Sequence, residues 1–194
     1  MMSPQVFFHC YPTVLGHCGI AWTERGIVAS QLPEETLSVT RDRMWVRFPT
    51  AREEVDFERL PESVKQACLG VRALLEGEAR DLLEIDLDDS AVPAFDREVL
   101  ALTRRIPVGQ TLTYGEVATR LGQPNAARAV GRAEGHNPFP PIVPCHRVMG
   151  APTAGKAANL TGFSAAGGVA TKLRILAIEA RATGQQVGEQ QDLF

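Results

Sequence analysis

The chain has 194 residues, of which 44% are hydrophobic and 22% are charged, and this is enough apolar material for the core of one or two small domains. No apolar run approaches the roughly 20 residues that a membrane-spanning helix needs, and the start of the chain lacks a signal-peptide pattern, so we expect a cytoplasmic protein. The net charge of −3 excludes a uniformly basic surface.

The first part of the chain, residues 1–91, predicts a small α+β domain. Small and β-branched residues flank the turn Thr23-Glu24-Arg25-Gly26, which predicts a hairpin of two strands over 16–23 and 26–32. Apolar residues at helical spacing predict an amphipathic helix over 62–76, in which Cys68 is a core residue. Residues 82–87 predict one further strand.

The second part, residues 92–181, predicts a mainly helical domain that follows an acidic stretch and Pro93. Helices are predicted over 94–104, 114–121, 125–134 and 169–180. Thr113 and Glu116 have the spacing of a capping box at the start of the second helix. That helix and the next are short and are joined by a turn that contains Gly122, which predicts a helix-turn-helix. The polar residues 182–194 are expected to form a disordered tail.

The charge changes sign between these two parts. Residues 1–92 carry a net charge of −7, whereas residues 93–181 carry +6. Because phosphate neutralisation is a local effect, the second part alone is a candidate to meet a polyanion such as DNA. A basic surface that is merely solvated fits the same charge count.

Four cysteines, Cys10, Cys18, Cys68 and Cys145, lack the spacing of a disulfide framework, so we expect reduced thiols. Prolines at 138, 140, 141 and 144 predict an extended, rigid segment that leads into Cys145. His146 and Arg147 follow directly, and basic neighbours lower the pKa of a thiol, so Cys145 is a candidate nucleophile. A buried structural cysteine beside a capping histidine is the alternative.

Five ordered motifs carry a resemblance to a known family: Ile106-Pro107-Val108-Gly109, Thr113-Tyr114-Gly115, Ala126-Ala127-Arg128-Ala129-Val130-Gly131, Asn137-Pro138 and Pro144-Cys145-His146-Arg147-Val148. In these motifs the chain resembles the O6-alkylguanine-DNA alkyltransferases, also called methylated-DNA-protein-cysteine methyltransferases. The resemblance is dense over 106–179 and weak in the first 90 residues. It implies an α+β fold, with a ribonuclease-H-like mixed N-terminal domain followed by a helical C-terminal domain.

The resemblance also implies a reaction. Cys145 would take the alkyl group from O6-alkylguanine in DNA irreversibly, so that one molecule repairs one lesion. His146 would accept the thiol proton through water, and Glu179 would polarise that histidine. Tyr114 would donate a hydrogen bond to the guanine as negative charge develops on it.

Further residues are assigned to DNA binding and to the pocket by the same resemblance. Arg128 would fill the place of the flipped nucleotide, since a base inside a duplex must leave the stack before it can react. Small side chains beside it would let this helix enter the minor groove; they are Ala126, Ala127, Ala129 and Gly131. Asn137 would tie the turn before the cysteine to this helix. The other expected pocket or structural residues are Pro144, Arg147, Val148, Phe163, Ser164 and Lys172.

The chain departs from the family pattern after the cysteine. Phe163 stands where members commonly have Tyr, and two residues are added before Gly167-Gly168, so Ser164 becomes the candidate for contact with the guanine oxygen. The preferred alkyl group stays open, as does activity on O4-alkylthymine.

No metal or cofactor is expected, because His9, Cys10, His17 and Cys18 lack the spacing of a zinc knuckle. The expected partner is double-stranded DNA that contains O6-alkylguanine, bound by a monomer. The last residues, Gln190-Gln191-Asp192-Leu193-Phe194, resemble the peptide with which bacterial repair and replication proteins dock on the sliding clamp. An inert terminus is the alternative.

Two other classes of function compete with this interpretation. A cysteine hydrolase that uses Cys145 and His146 would need an oxyanion hole and a directly bonded pair, and the sequence indicates neither. A helix-turn-helix regulator would bind DNA with Cys145 inert. Turnover of an ester would mark the hydrolase, site-specific binding without alkylation the regulator, and consumption by an alkylated guanine the repair protein.

Overall fold

The computed structural model describes residues 4–151 and 168–184, and every structural statement below concerns this part of the chain. It is a mixed α+β fold. The N-terminal elements are β1 (Phe7–Thr13), β2 (Gly16–Thr23), β3 (Gly26–Gln31), α1 (Leu37–Arg47), β4 (Arg52–Glu53) and α2 (Glu62–Glu76). The later elements are α3 (Ala94–Thr103), β5 (Leu112–Thr113), α4 (Tyr114–Arg120), α5 (Ala127–Gly135), β6 (Val148–Met149) and α6 (Val169–Ala182). None of the helices in these ranges is both long and apolar enough to cross a membrane.

The N-terminal sheet has the strand order β3-β2-β1-β4. β1, β2 and β3 are successively antiparallel, and β4 runs parallel to β1 at the far edge. The predicted hairpin is confirmed, and its second strand ends at Gln31. Sequence patterns did not predict β1 or α1.

The predicted strand over 82–87 is wrong. Among the described residues, the β pairing of this segment is limited to an isolated parallel bridge between Leu87 and Ile27. The guanidinium of Arg104 instead donates hydrogen bonds to the carbonyl oxygens of Leu82, Leu83 and Ile85, at 3.0, 3.3 and 2.5 Å. The side chain of Arg104, the residue that follows α3, thus takes the acceptors that a neighbouring strand would need.

α2 has the predicted bounds and packs its apolar face against the sheet. Cys68 is fully buried on this face, as expected for a core residue. The same core includes Leu100, Phe139 and Ile175 from the second part of the chain. A separate apolar cluster lies within the helical part, around Val117, Val130 and Val148.

α4 begins at Tyr114 with the predicted capping box. Thr113 Oγ1 accepts a hydrogen bond from the amide of Glu116 at 3.1 Å, and Glu116 Oε2 accepts one from the amide of Thr113 at 2.6 Å, which completes the capping box. β5 pairs in parallel with β6, with Leu112 opposite Val148. Because β6 follows Cys145 closely, this pairing brings the start of α4 to the cysteine.

The prediction of an extended segment before Cys145 is wrong. Residues 138–143 form turns and bends, and Cys145 opens a 3₁₀ turn, Cys145–Arg147. The Asn137 side chain shapes this loop, since its Oδ1 accepts from the amide of Phe139 at 2.9 Å and its Nδ2 donates to Val143 O at 2.8 Å. Local side-chain bonds of this kind favour turns over extended backbone.

β3 holds the same loop from the other side. The amide of Ser30 donates to Pro138 O at 2.9 Å, and its hydroxyl donates to Pro140 O at 2.8 Å. The N-terminal sheet therefore supports the approach to Cys145 directly.

Candidate functional site

Cys145 lies at the floor of a small cavity. Its side chain belongs to the first residue of the 3₁₀ turn, and the residue is 7% exposed. The cavity has a volume of about 240 Å³. Its walls come from both parts of the chain, and they include Ser30, Arg43, Arg47, Glu134 and Asn137.

The expectation that basic neighbours lower the pKa of Cys145 is wrong for the protein alone. Burial, and after it the carboxyl of Glu134, raise this pKa to about 12. A hydrogen bond from the Asn137 side chain and the charge of Lys172 oppose this shift without cancelling it. The thiol is therefore protonated at rest, and it needs a base when it reacts.

A buried carboxylate fixes the side chain of His146, the next residue. Its Nε2 lies 2.8 Å from Glu179 Oε1, and both side chains are fully buried. An ionised carboxylate can only accept, so the proton of the neutral imidazole sits on Nε2 and leaves Nδ1 as an acceptor. Nδ1 is buried and has no hydrogen-bond partner within the described residues. Burial lowers the pKa of His146, which keeps the ring neutral and able to take a proton.

Arg147 holds the carboxylate that orients His146. Its Nε lies 3.0 Å from Glu179 Oε2, and its Nη2 lies 2.8 Å from Glu179 Oε1. The Arg147 Nη1 also donates to Ile106 O. Although burial alone would raise the pKa of Glu179, His146 and Arg147 outweigh it and hold this pKa at about 2. Arg147 thus acts on Glu179 and not on the thiol next to it in sequence.

Two other predicted residues border the cysteine. Lys172 is 1% exposed and donates from Nζ to Val148 O at 2.7 Å, which joins α6 to β6. Tyr114 is half-buried at the start of α4. Burial, with smaller effects of Glu134 and Cys145, raises the pKa of Tyr114 to about 12. Tyr114 therefore keeps its proton and can donate it in a hydrogen bond.

One face of α5 is buried, and the opposite face is exposed to solvent. Arg128 is exposed, and the small residues Ala126, Ala127 and Ala129 around it are partly exposed. Gly131 lies against Tyr114, because a Cβ at this position would be 3.9 Å from the ring. Arg132 is also exposed, one turn after Arg128. Arg132 was not predicted to face DNA, although a spacing of four residues on a helix places it beside Arg128.

Glu134 was not predicted as a site residue either. It is 4% exposed, lies in the wall of the Cys145 cavity and accepts a 2.5 Å hydrogen bond from Thr103 Oγ1. Its position four residues after Val130 and one after Ala133 was a usable signal, because both of those residues are on the buried face of α5.

The pocket residues Phe163 and Ser164 and the tail residues Gln190, Gln191, Asp192, Leu193 and Phe194 lie outside the described residues. Within the described ranges, no three His, Cys, Asp or Glu side chains are grouped to hold a metal ion. His9 Nδ1 lies 2.7 Å from Glu54 O, and Cys18 is buried in β2.

Comparison with known proteins identifies relatives of this chain. A family model described as 6-O-methylguanine DNA methyltransferase, DNA binding domain, matches residues 94–181. The methylated-DNA–protein-cysteine methyltransferase of Mycolicibacterium paratuberculosis is 47% identical over 104 residues, which cover 53% of this chain and 59% of that protein. The chain thus spans 59% of the length of this curated relative.

Solved structures match over a longer range. The crystal structure of Mycobacterium tuberculosis O6-methylguanine methyltransferase is 30% identical, covers 92% of this chain and 94% of its own, and has a TM-score of 0.67. The crystal structure of M. tuberculosis OGT in complex with DNA is 28% identical, covers 91% and 94%, and has a TM-score of 0.68. Because the likeness extends along nearly the whole of both chains, this chain belongs to the family of O6-methylguanine methyltransferases, the methylated-DNA–protein-cysteine methyltransferases.

Proposed function

We propose that this protein repairs double-stranded DNA by transferring the alkyl group of O6-alkylguanine irreversibly to Cys145. The observation that carries the proposal is the buried chain of contacts from Arg147 through Glu179 to His146, next to a cavity that contains the thiol. A structural cysteine would need neither a histidine with a free acceptor nor a carboxylate held ionised in the core.

The chemistry is a displacement at the alkyl carbon. The bond from Sγ to this carbon forms as the bond from carbon to guanine O6 breaks. His146 Nδ1 takes the thiol proton through a water molecule, and Glu179 stabilises the imidazolium that results. Tyr114 donates a hydrogen bond to the departing guanine, which recovers a proton as His146 becomes neutral again. The product thioether has no good leaving group, so each molecule reacts once.

A buried thiol with a raised pKa makes this proton removal the demanding step. At neutral pH almost no thiolate exists in the free protein, because burial disfavours the charged form. Proton transfer to His146 during the attack avoids that cost. General-base assistance of this kind contributes about 10²- to 10⁴-fold in rate.

Base flipping is the second component of the proposal. The lesion must leave the duplex to reach a cavity of this size, at a cost of a few kcal/mol. Arg128, exposed on α5, would occupy the vacated place in the stack. The adjacent alanines keep this face of α5 slim enough for the minor groove. The net charge of +6 over 93–181 favours the phosphate backbone.

Domain organisation is also proposed. α4, the turn with Gly122 at φ +73°, and α5 would form the helix-turn-helix, within a domain over 92–181. Residues 1–91 would form the N-terminal domain with a ribonuclease-H-like sheet, which three antiparallel strands and a parallel edge strand support. Residues 182–194 would form a tail.

The cellular location, oligomeric state and second partner are also proposed. The protein would act in the cytoplasm as a monomer. Gln190, Gln191, Asp192, Leu193 and Phe194 would dock on the sliding clamp. Full-length protein should bind the clamp and a version without these five residues should not; equal binding would refute the docking proposal.

The decisive experiment is intact-mass analysis after incubation with a duplex that carries one O6-methylguanine. The wild-type protein should gain a single methyl group, and Cys145→Ala should gain none. Cys68→Ala is the matched control, because it removes a buried thiol on α2 that does not line the Cys145 cavity and should leave the methyl transfer intact. If the wild type binds the duplex without gaining mass, the transfer proposal fails.

A further inference from the structure

Glu134 is a buried acid that the proposed reaction does not use. Its Oε1 accepts the hydrogen bond from Thr103 of α3. Its Oε2 is buried and has no hydrogen-bond partner within the described residues. An unpaired carboxylate oxygen in the core is costly, so its retention beside a reactive thiol calls for an explanation.

The groups that face Glu134 come from every neighbouring element. Cys145 approaches from the 3₁₀ turn, Tyr114 from α4 and Lys172 from α6, and each interacts electrostatically with the Glu134 carboxyl. The cationic or titratable side chains of Arg43, Arg47 and His136 line the same cavity. Glu134 is thus the acidic member of a mixed cluster around the thiol.

We propose that Glu134 is a positioning residue that sets the pH window of the reaction at Cys145, because its ionised carboxylate opposes the thiolate and its protonated form does not. This inference rests on the proposed function, since it concerns how the same thiol reacts.

The sign of the effect follows from the surroundings. Burial raises the pKa of Glu134 to about 7, while the Thr103 hydrogen bond and Lys172 oppose this rise. Below pH 7 the carboxyl is largely neutral. Above pH 7 a buried negative charge appears beside Cys145 and disfavours a second one. Glu134 affects the pKa of Cys145 more strongly than Lys172 does, so the positive charge of Lys172 reduces the effect of Glu134 without reversing it.

The test uses the pH dependence of Cys145 labelling by iodoacetamide, followed by peptide mass mapping, across about pH 5 to 9. In Glu134→Gln, Cys145 should label about 3- to 10-fold faster than in wild type above pH 7 and at the same rate below pH 6, because one pKa unit is tenfold in thiolate. Gln can still accept the Thr103 hydrogen bond, which preserves the packing. Glu98→Gln, exposed on α3, is the matched control and should follow the wild type.

A second variant should shift the pH at which the Glu134 charge slows labelling, without removing that charge. The Thr103 hydrogen bond lowers the pKa of Glu134, so Thr103→Val should shift the onset of the inhibitory charge to higher pH. Identical profiles for wild type and Glu134→Gln, or a change by the same factor at every pH, would overturn the proposal.

Methyl transfer from the O6-methylguanine duplex is then measured on the same samples. If the labelling profiles separate while wild type transfers no methyl group, the repair function fails and the role of Glu134 at the thiol stands. If wild type transfers the methyl group and the profiles coincide, only the role of Glu134 fails.

Discussion

Replacing Arg147 by Met should destabilise the protein strongly, because it leaves the buried carboxylate of Glu179 without its cationic partner. Arg147 and Glu179 are 1% and 0% exposed at the side chain, and the guanidinium makes contacts with both carboxylate oxygens. Met fills a similar volume without a charge or a donor. Of the described residues, His146 alone would then remain as a partner of the Glu179 carboxylate.

Two routes give the magnitude. Removing one partner of a buried ion pair costs about 3–5 kcal/mol in the free energy of unfolding. Independently, the pKa of Glu179 falls from its ordinary 4.5 to about 2, which corresponds to about 3 kcal/mol of stabilisation. This second value is the combined effect of Arg147 and His146 on Glu179. For a chain of this size such a loss lowers Tm by about 6–20 °C.

The pH dependence gives an additional signature. Because the pKa of Glu179 is depressed in the folded protein, its stabilising effect is complete above pH 4.5 and is lost as the pH falls toward 2. Arg147→Met should weaken this acid dependence. Part of the loss should return in Arg147→Met/Glu179→Gln, which buries no unpaired charge.

Urea denaturation measured at neutral pH and again in acid tests these values. Arg174→Met is the control, since Arg174 is exposed on α6 and its loss should change stability by less than about 0.5 kcal/mol. A cost below about 1 kcal/mol for Arg147→Met, with unchanged acid dependence, would show that the pair is not what holds Glu179 ionised.

Three further outcomes are expected. Glu179→Gln should slow single-turnover methyl transfer by about 10²-fold or more, because a neutral amide cannot stabilise the His146 imidazolium; a normal rate would remove Glu179 from the mechanism. Arg128→Ala should slow transfer from duplex DNA while transfer from the free base O6-benzylguanine keeps its rate, and equal losses on both substrates would contradict a role in flipping. Ser30→Ala should lower the free energy of unfolding by about 1 kcal/mol through loss of the hydroxyl bond to Pro140 O, whereas an unchanged denaturation midpoint would contradict that contribution.

Sequence patterns predicted elements whose signal is local. The hairpin, α2 and the capping box of α4 were foreseen because turn residues, a broad apolar face and a cap each act within a few residues. α1 was missed because it buries only Thr40 and Met44, which leaves no periodic apolar face. The supposed strand over 82–87 failed because Arg104, which is distant in sequence, occupies its carbonyl oxygens.

In the candidate site, too, local motifs were predictable and effects of distant residues were not. Motif residues could be named in advance, and the contact of His146 with Glu179 follows the expected pairing. The pKa direction of Cys145 could not be predicted, because it depends on burial and on Glu134, which no motif contains. Adjacency of Arg147 to the thiol was misleading, since neighbouring side chains in a 3₁₀ turn point to different partners.

The hydrogen bonds from Ser30 to the loop before Cys145 also affect how the chain folds to its reactive form. β3 is an edge strand, and the loop uses its free amide, so the loop shields an edge that would otherwise pair with another molecule. The hydroxyl contact joins positions 110 residues apart. During synthesis the sheet emerges first, and the loop can take its shape only when it docks there. Nascent chains that stop before this point would carry an open sheet edge and no assembled thiol site.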